Sequence, residues 1–522
     1  MPHFPPVIFG IALAALIVAL SALARRLPIP TPVLQLVAGL GLGLAPGIAT
    51  PELDPDLIFF VFLPPILWSA AMFTSPREFR RNIASIGLLA VGLVLVTTVV
   101  VAIAAHRLMP GMPWAVAVAL GAIVSPPDAV AATAIVSRLP VPHRVVTILE
   151  GESLVNDASA LVIYRTAVAA AVLGRFSWGE SIVRFFIDAG IGSLVGLLVG
   201  WLIIRAMCMT KDALAETLLT LAGPYVAWLT AESLHVSAVL AAVAGGLYVQ
   251  QNLSIAVGPA SRLQIRTVWD LAVFLLNAMV FLLLGAQFGN LLAVLHGQSL
   301  LAVVRTGSII AGVAIAVRLI WVPVVTLLRI WRGAYRTRRR PTWKDISLVS
   351  WTSMRGVVSL ATALALPRVL ADGKPFPFRT EIILITMCVI VITLVIQGLS
   401  LEPLIRAFRF PPERQHHEEE RLARREATRR GAEALEDLAH EDWVDQRDVE
   451  VLRAEVRERA RATEVEGGSH AGRRRLRLAM IAAERRMLIR LRDEAAISDE
   501  VLRELEQELD LESVRAGAGD ER

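Results

Sequence analysis

An acidic stretch set in apolar sequence, Glu150-Gly151-Glu152-Ser153-Leu154-Val155-Asn156-Asp157, holds the residues best suited to chemistry. On a helix Ser153 and Asp157 lie four apart and share a face, while Glu152 and Asn156 share the adjacent one. A hydroxyl one turn from a carboxylate offers the hard oxygen ligands that a small cation takes. Two carboxylates this close, away from bulk water, cannot both stay charged without compensation. One needs a cation from the protein; the other can take its cation from solution. Glu150 reads as a helix end reaching water, whereas Asp157 is followed by more apolar sequence, Ala158 to Tyr164.

Two further clusters carry groups that are costly in lipid and therefore mark pathways or pairs. In Ser125-Pro126-Pro127-Asp128, consecutive prolines remove two backbone donors, so a helix must break there. Proline suits the first turn of the half-helix that follows, and Asp128 would lie near its positive end. In Ser350-Trp351-Thr352-Ser353-Met354-Arg355-Gly356, hydroxyls and a glycine surround an arginine. Arg355 is eleven residues from Lys344, about 16 Å deep at 1.5 Å per residue. A guanidinium at that depth must pair, and Glu152 is the partner the sequence offers. A Glu152–Arg355 ion pair would leave Asp157 free for its own cation. Arg165, Arg305 and Arg318 also fall within apolar segments and read as snorkelling or lining water-accessible surfaces.

The elements that must position these residues are membrane helices. Of 522 residues, 55% are hydrophobic, and apolar runs dominate residues 1–409, whereas 410–522 turn abruptly charged. A bilayer core takes about 20 apolar residues per helix. Thirteen segments qualify: roughly 6–24, 31–48, 56–73, 84–105, 114–137, 145–173, 187–208, 214–232, 235–251, 268–289, 299–328, 345–370 and 380–406. The start reads as a retained first span, because it lacks a basic n-region and a clear cleavage site. Odd-numbered loops hold Arg25, Arg26, Arg77, Arg80, Arg81, Arg138, Arg144, Arg205, Lys211, Arg262, Arg266 and a basic run from Arg329 to Lys344. Even-numbered loops hold only Arg107, Arg175, Arg184, Arg368, Lys374 and Arg379. This bias places the odd loops and the C-terminal tail in the cytoplasm and the N-terminus outside. It also accounts for the net charge of +5 without nucleic acid. Cys208 and Cys388 form neither a disulfide framework nor a metal site. The breaks fall in spans five and twelve, seven apart, as in two inverted repeats whose interrupted helices meet at a midplane site. The tail reads as a charged helical domain, 410–522, with a Gly-rich interruption near Gly467 and a new helix after Ser498. His416 and His417 could titrate near neutral pH.

The segments SPPDAVA, EGESLVNDASALV and SMRGVVSLA resemble motifs of the monovalent cation:proton antiporter family, which includes bacterial sodium/proton antiporters and animal sodium/proton exchangers. The resemblance covers roughly residues 6–406. It implies an all-α membrane fold of about thirteen helices with inverted repeats and two crossing interrupted helices, a homodimer, and an elevator-like movement of a core against a scaffold. By motif, Asp157 corresponds to the ion-binding aspartate, Ser153 to an auxiliary oxygen ligand of the transported cation, and Asp128 to the aspartate of the first interrupted helix. Asn156 corresponds to the asparagine supporting the crossed helices at Pro126 and Pro127, and Glu152 with Arg355 to a structural ion pair. The Asn156-Asp157 pairing resembles the electroneutral branch. Two departures stand out: Pro127 replaces a threonine of many relatives, and Ser69, after Pro64-Pro65, replaces an acid of several bacterial members. The expected function is exchange of Na⁺, or K⁺, for H⁺ by competition at Asp157, with no cofactor and no enzymatic activity. A different broken-helix transporter or channel, an intramembrane aspartyl protease and a signalling sensor are the other readings. The 6% aromatic content, the Asn156 and Arg355 positions, and the lack of kinase or nucleotide motifs weigh against them in turn.

Overall fold

A long apolar stretch in lipid must satisfy its backbone internally, and helix is the form that does so within one segment. The computed structural model describes all residues except 1–5, 25, 28, 46–57, 137–138, 174–177, 294–299, 334–339, 371, 411–413, 442–443, 465–469, 495–498 and 516–522. The described chain is helical and contains no strand, only an isolated bridge between Val369 and Pro375. It divides into two compact units, Met1–Pro411 and Pro412–Arg522.

In the first unit α1 (Pro6–Ala24) and α2 (Thr31–Leu44) are followed by α3 (Leu63–Phe73), which continues a π-helical turn at Ile58–Phe62. Then come α4 (Pro76–Gly87), a second π turn at Leu88–Leu93, and α5 (Val94–Leu108). The fifth apolar segment is two short helices, α6 (Trp114–Val124) and α7 (Ala129–Val136). Long helices follow: α8 (His143–Leu173), α9 (Trp178–Thr210), α10 (Ala213–Ser233), α11 (Ala238–Ala256), α12 (Pro259–Ala293) and α13 (Leu300–Trp331). The twelfth segment is again split, into α14 (Trp343–Trp351) and α15 (Val357–Leu364), before α16 (Arg379–Phe408). Each of the thirteen apolar segments thus contains a helix or a helix pair. Among the described residues seven helices are long and apolar enough to cross a membrane.

Starts follow local chemistry. The Asp212 side chain accepts from the Ala215 N–H at 2.8 Å, and Thr342 with Asp345 forms a reciprocal capping box opening α14. Small residues set the closest packing. Gly39 and Gly43 of α2 lie against the backbone of Leu282 and Ala286 in α12, and Gly192 and Gly196 of α9 against Ser237, which caps α11, and Ala241 within it. Trp68 of α3 is fully buried, its ring resting on Gly223 of α10 and Gly245 of α11.

The second unit contains α17 (Arg414–Leu438), α18 (Gln446–Glu464), α19 (His470–Asp493) and α20 (Asp499–Arg515). Its helices are joined by exposed ion pairs such as Arg453–Glu436, where Nε donates to Oε1 at 2.8 Å, and few apolar side chains among its described residues are buried. The side chains of His416 and His417, and residue Ser498, lie outside the described residues.

Candidate functional site

The two interruptions are bonded to one another. After Val124 the chain leaves the helix through Ser125, Pro126 and Pro127, and the Asp128 N–H donates to the Met354 carbonyl at 2.7 Å. Met354 lies in the second break, Thr352–Gly356. Gly356 is required here: a Cβ at this position would overlap the Asp128 carboxylate. From α8, the Asn156 amide donates to the Pro127 carbonyl at 2.9 Å, fully buried. Pro126, Pro127, Asp128 and Asn156 are therefore brought together.

Breaking a helix leaves carbonyls at its C-terminal end without donors. Proline cannot supply the missing N–H groups. Here buried guanidinium groups do so. Arg355 donates through Nε to the Val124 carbonyl at the end of α6, at 2.9 Å, and its Nη1 donates to Ser353 Oγ at 2.8 Å and to the Ser353 carbonyl. Arg318 of α13 donates through Nε to the Val349 carbonyl near the end of α14, at 3.0 Å.

Arg318, not Arg355, is the partner of Glu152. Its two terminal nitrogens meet the two carboxylate oxygens, one pair at 2.8 Å. Glu152 and Arg318 are each only 1% exposed. The sequence expectation of a Glu152–Arg355 pair is corrected on this point, as is the reading of Arg318 as a snorkelling residue. The reason is local: Arg355 is held by the carbonyls around it, and it acts on Glu152 only through space. A signal for Arg318 was present in the sequence. It continues the inward stripe of α13, Val303, Gly307, Ile310, Ala311, Ala314 and Val322, at spacings of three and four. Arg165 and Arg305, by contrast, are exposed.

Asp157 is 6% exposed and faces a cavity of about 390 Å³. Among the described residues none hydrogen-bonds its carboxylate, and its strongest charged neighbour is Asp128, of like sign. Asp128, Ser153, Thr133 and Ser69 line the same cavity, as do Glu150, Asp270 and Asn277. Ser153 is thus placed one turn from Asp157 on the cavity wall. Ser69 donates to the Ile66 carbonyl at 2.9 Å.

A polar stripe runs along α8 towards this cavity: His143, Thr147, Glu150, Ser153 and Asp157, spaced by three or four residues. Thr147 donates to Glu78 Oε2 at 2.8 Å, His143 Nε2 lies 3.3 Å from the same oxygen, and Thr74 donates to Glu150 Oε2 at 3.4 Å. Glu150, expected at a water-facing helix end, is half-buried on the cavity wall. Asp270 and Asn277 on α12 were not singled out by the sequence; a polar residue recurring at a spacing of seven as the helix turns apolar is the signal that could have found them.

Comparison with known proteins places the chain in a family. The family described as "Sodium/hydrogen exchanger, transmembrane" matches residues 12–407. An uncharacterised Na⁺/H⁺ exchanger of Mycobacterium tuberculosis is 34% identical over 97% of this chain and 95% of its own length. A sodium, potassium, lithium and rubidium/H⁺ antiporter of Bacillus subtilis is 34% identical over 76% of this chain and 61% of its own. The solved sodium/proton antiporter MjNhaP1 of Methanocaldococcus jannaschii, 22% identical, covers 76% of this chain and 96% of its own with a TM-score of 0.59, which shows the fold. The chain is a multi-pass membrane protein and belongs to the sodium/hydrogen exchanger family.

Proposed function

We propose that the protein exchanges a monovalent cation, Na⁺ foremost, for a proton at Asp157, one for one. The supporting observation is the contrast between two buried carboxylates five residues apart. Glu152 has its countercharge in Arg318, whereas Asp157 faces a cavity with no Lys or Arg among the described residues that line it. A bare buried anion is costly, so Asp157 holds either a proton or a cation. Both occupied forms are locally neutral and can be carried through a change of access; the empty anion is held back. Counting formal charges, the cluster holds two guanidinium groups, Arg318 and Arg355, against three carboxylates, Asp128, Glu152 and Asp157. One monovalent ion or one proton balances it, which fits electroneutral exchange. The loop charge bias supports a cytoplasmic-membrane location with the N-terminus outside and the tail inside. The family resemblance supports a homodimer, with a role in intracellular pH balance.

The test is purified protein in liposomes with a pH-reporting dye inside and a gradient of Na⁺, K⁺ or Li⁺. Wild type should dissipate a proton gradient with Na⁺. Asp157→Asn should lose exchange while remaining folded; persistent exchange by that variant would sink the assignment. Because the proton is the competitor, the half-saturating Na⁺ concentration should fall as pH rises, by at most about ten-fold per pH unit for one shared site. Pro127 lacks the hydroxyl of a threonine, and Ser69 keeps an oxygen but lacks the charge of an acid, so K⁺ is the second cation to compare. Insensitivity of the rate to an imposed membrane potential would support the one-for-one ratio.

A further inference from the structure

Alternate residues at the second break are bonded to α16. Trp351 Nε1 donates to Ser400 Oγ at 2.9 Å, Gln397 Nε2 donates to Ser353 Oγ at 3.0 Å, and the Arg355 N–H donates to Thr393 Oγ1 at 3.2 Å. The residues between them face the first break. The Met354 carbonyl accepts from the Asp128 N–H, and Gly356 abuts the Asp128 carboxylate. This is the period of two that an extended chain shows, here in a buried segment that belongs to no helix. Thr393, Gln397 and Ser400 are four and three residues apart and share one face of α16. Segment and helix run antiparallel, and their lengths agree: seven residues of helix cover about 10 Å, and four extended residues about 13 Å.

Thr393 and Gln397 are wholly buried, and residues 382–401 of α16 carry no charged side chain. Buried polar groups are costly unless bonded, and the bonds of these two go to the break. Ser353 Oγ accepts from both Gln397 and Arg355, which ties the arginine to the same support. A neutral helix thus fixes the break without changing the charge of the site. We propose that Thr393 and Gln397 are positioning residues for exchange: by holding Arg355 and Ser353 they set Met354 and Gly356 in place, and through these Asp128. The proposal rests on the reading of Asp157 as the exchange site. Asp128 and Asp157 line one cavity, so a displaced Asp128 changes the charge and oxygen that a cation at Asp157 meets. Thr393 and Gln397 are not among the described residues that line that cavity, so their effect passes through the break.

The experiment uses the full chain in liposomes at alkaline pH, where the proton competes least. Thr393→Val keeps the shape and removes the hydroxyl; Gln397→Met keeps the length and removes the amide. Each should raise half-saturating Na⁺ by about three-fold, with a smaller change in maximal rate. Thr393→Ser returns the hydroxyl and should restore the wild-type value. Ser400→Ala is the control for a purely structural role. It releases Trp351, at the end of α14 and outside the Met354–Gly356 contact with Asp128, so it should lower the melting temperature in detergent while half-saturating Na⁺ stays as in wild type. Thr393→Val and Gln397→Met behaving like Ser400→Ala, or a Thr393→Ser variant that does not restore Na⁺ affinity, overturns the positioning role. Should Thr393→Val fail to fold, Gln397→Met carries the test with the same two outcomes. Exchange that persists in Asp157→Asn removes the underlying reading; an inert Asp157→Asn beside unmoved Na⁺ values removes the positioning role alone, so the two fail separately.

Discussion

The two helix breaks solve one problem in two ways. At the end of α6 the Val124 carbonyl is met by Arg355, and near the end of α14 the Val349 carbonyl is met by Arg318. Each arginine comes from a different element and spans the gap left when the helix stops. They differ in how their charge is balanced. Arg318 is locked to Glu152 by two charge-assisted bonds. Arg355 is held by carbonyl and hydroxyl dipoles, those of Val124 and Ser353. The Glu152 pair is thus closed on itself. On the exchange reading proposed above, the formal charge of Arg355 is left to balance one of the two aspartates, Asp128 and Asp157, and the transported ion or proton balances the other. Structural and transport charge are kept apart by which arginine is neutralised.

The largest effect should come from breaking the closed pair. Arg318→Ala leaves Glu152 buried and unpaired, a loss of about 3–5 kcal/mol by comparison with other buried pairs. Its melting temperature in detergent should collapse, and Glu152→Gln added to it should recover part of the loss. Arg355→Ala strands neutral acceptors instead, at about 1–3 kcal/mol each for those that water does not reach. It should therefore melt above Arg318→Ala, yet transport worse than its stability explains, because the offset to the aspartates is gone. Equal destabilisation by the two substitutions would end the distinction drawn between them.

Next in size is Gly356→Ala. The new methyl group must displace the Asp128 carboxylate or open the Asp128–Met354 backbone bond. Overpacking of this kind costs about 1–3 kcal/mol. Because the displaced group is an aspartate of the cavity, exchange should fall by more than the melting temperature suggests. A variant with wild-type half-saturation for Na⁺ would show that the contact is not what holds Asp128 in place.

Much of this was legible in the sequence, and the reasons differ residue by residue. Pro126-Pro127 announces a break because the missing donors are a property of the residue type, wherever the rest of the chain lies. The second break was readable only in outline, since hydroxyls and a glycine permit an interruption without forcing one. The face shared by Ser153 and Asp157 follows from helical spacing, and both do line one cavity. The partner of Glu152 was misassigned because pairing is decided by tertiary placement. Arg318 and Arg355 are both intramembrane arginines, and depth along a span does not say which one faces α8. The stripe of small and apolar residues on α13 carried that information. The α12 wall was missed for a related reason: Asp270 lies near a basic helix start, Arg262 and Arg266, and looks there like ordinary surface charge.

The smallest expected effect concerns the side of the comparison where proline stands. At position 127 the element used by the fold is the carbonyl, which accepts from Asn156 at 2.9 Å. Threonine keeps that carbonyl, so Pro127→Thr should retain the crossing and shift stability by no more than about 1 kcal/mol, the range for a backbone change at a compatible site. It also adds a hydroxyl next to Asp128. If oxygen count at the first break sets ion preference, the ratio of half-saturating K⁺ to half-saturating Na⁺ should rise, with the Na⁺ value moving more than the K⁺ value. An unchanged ratio in a stable variant would assign the preference to oxygens elsewhere in the cavity, where Ser69 on α3 and Asn277 on α12 remain to be altered one at a time. Asn156→Ala provides the control, since it removes the donor to the same carbonyl and should lower stability without favouring either ion.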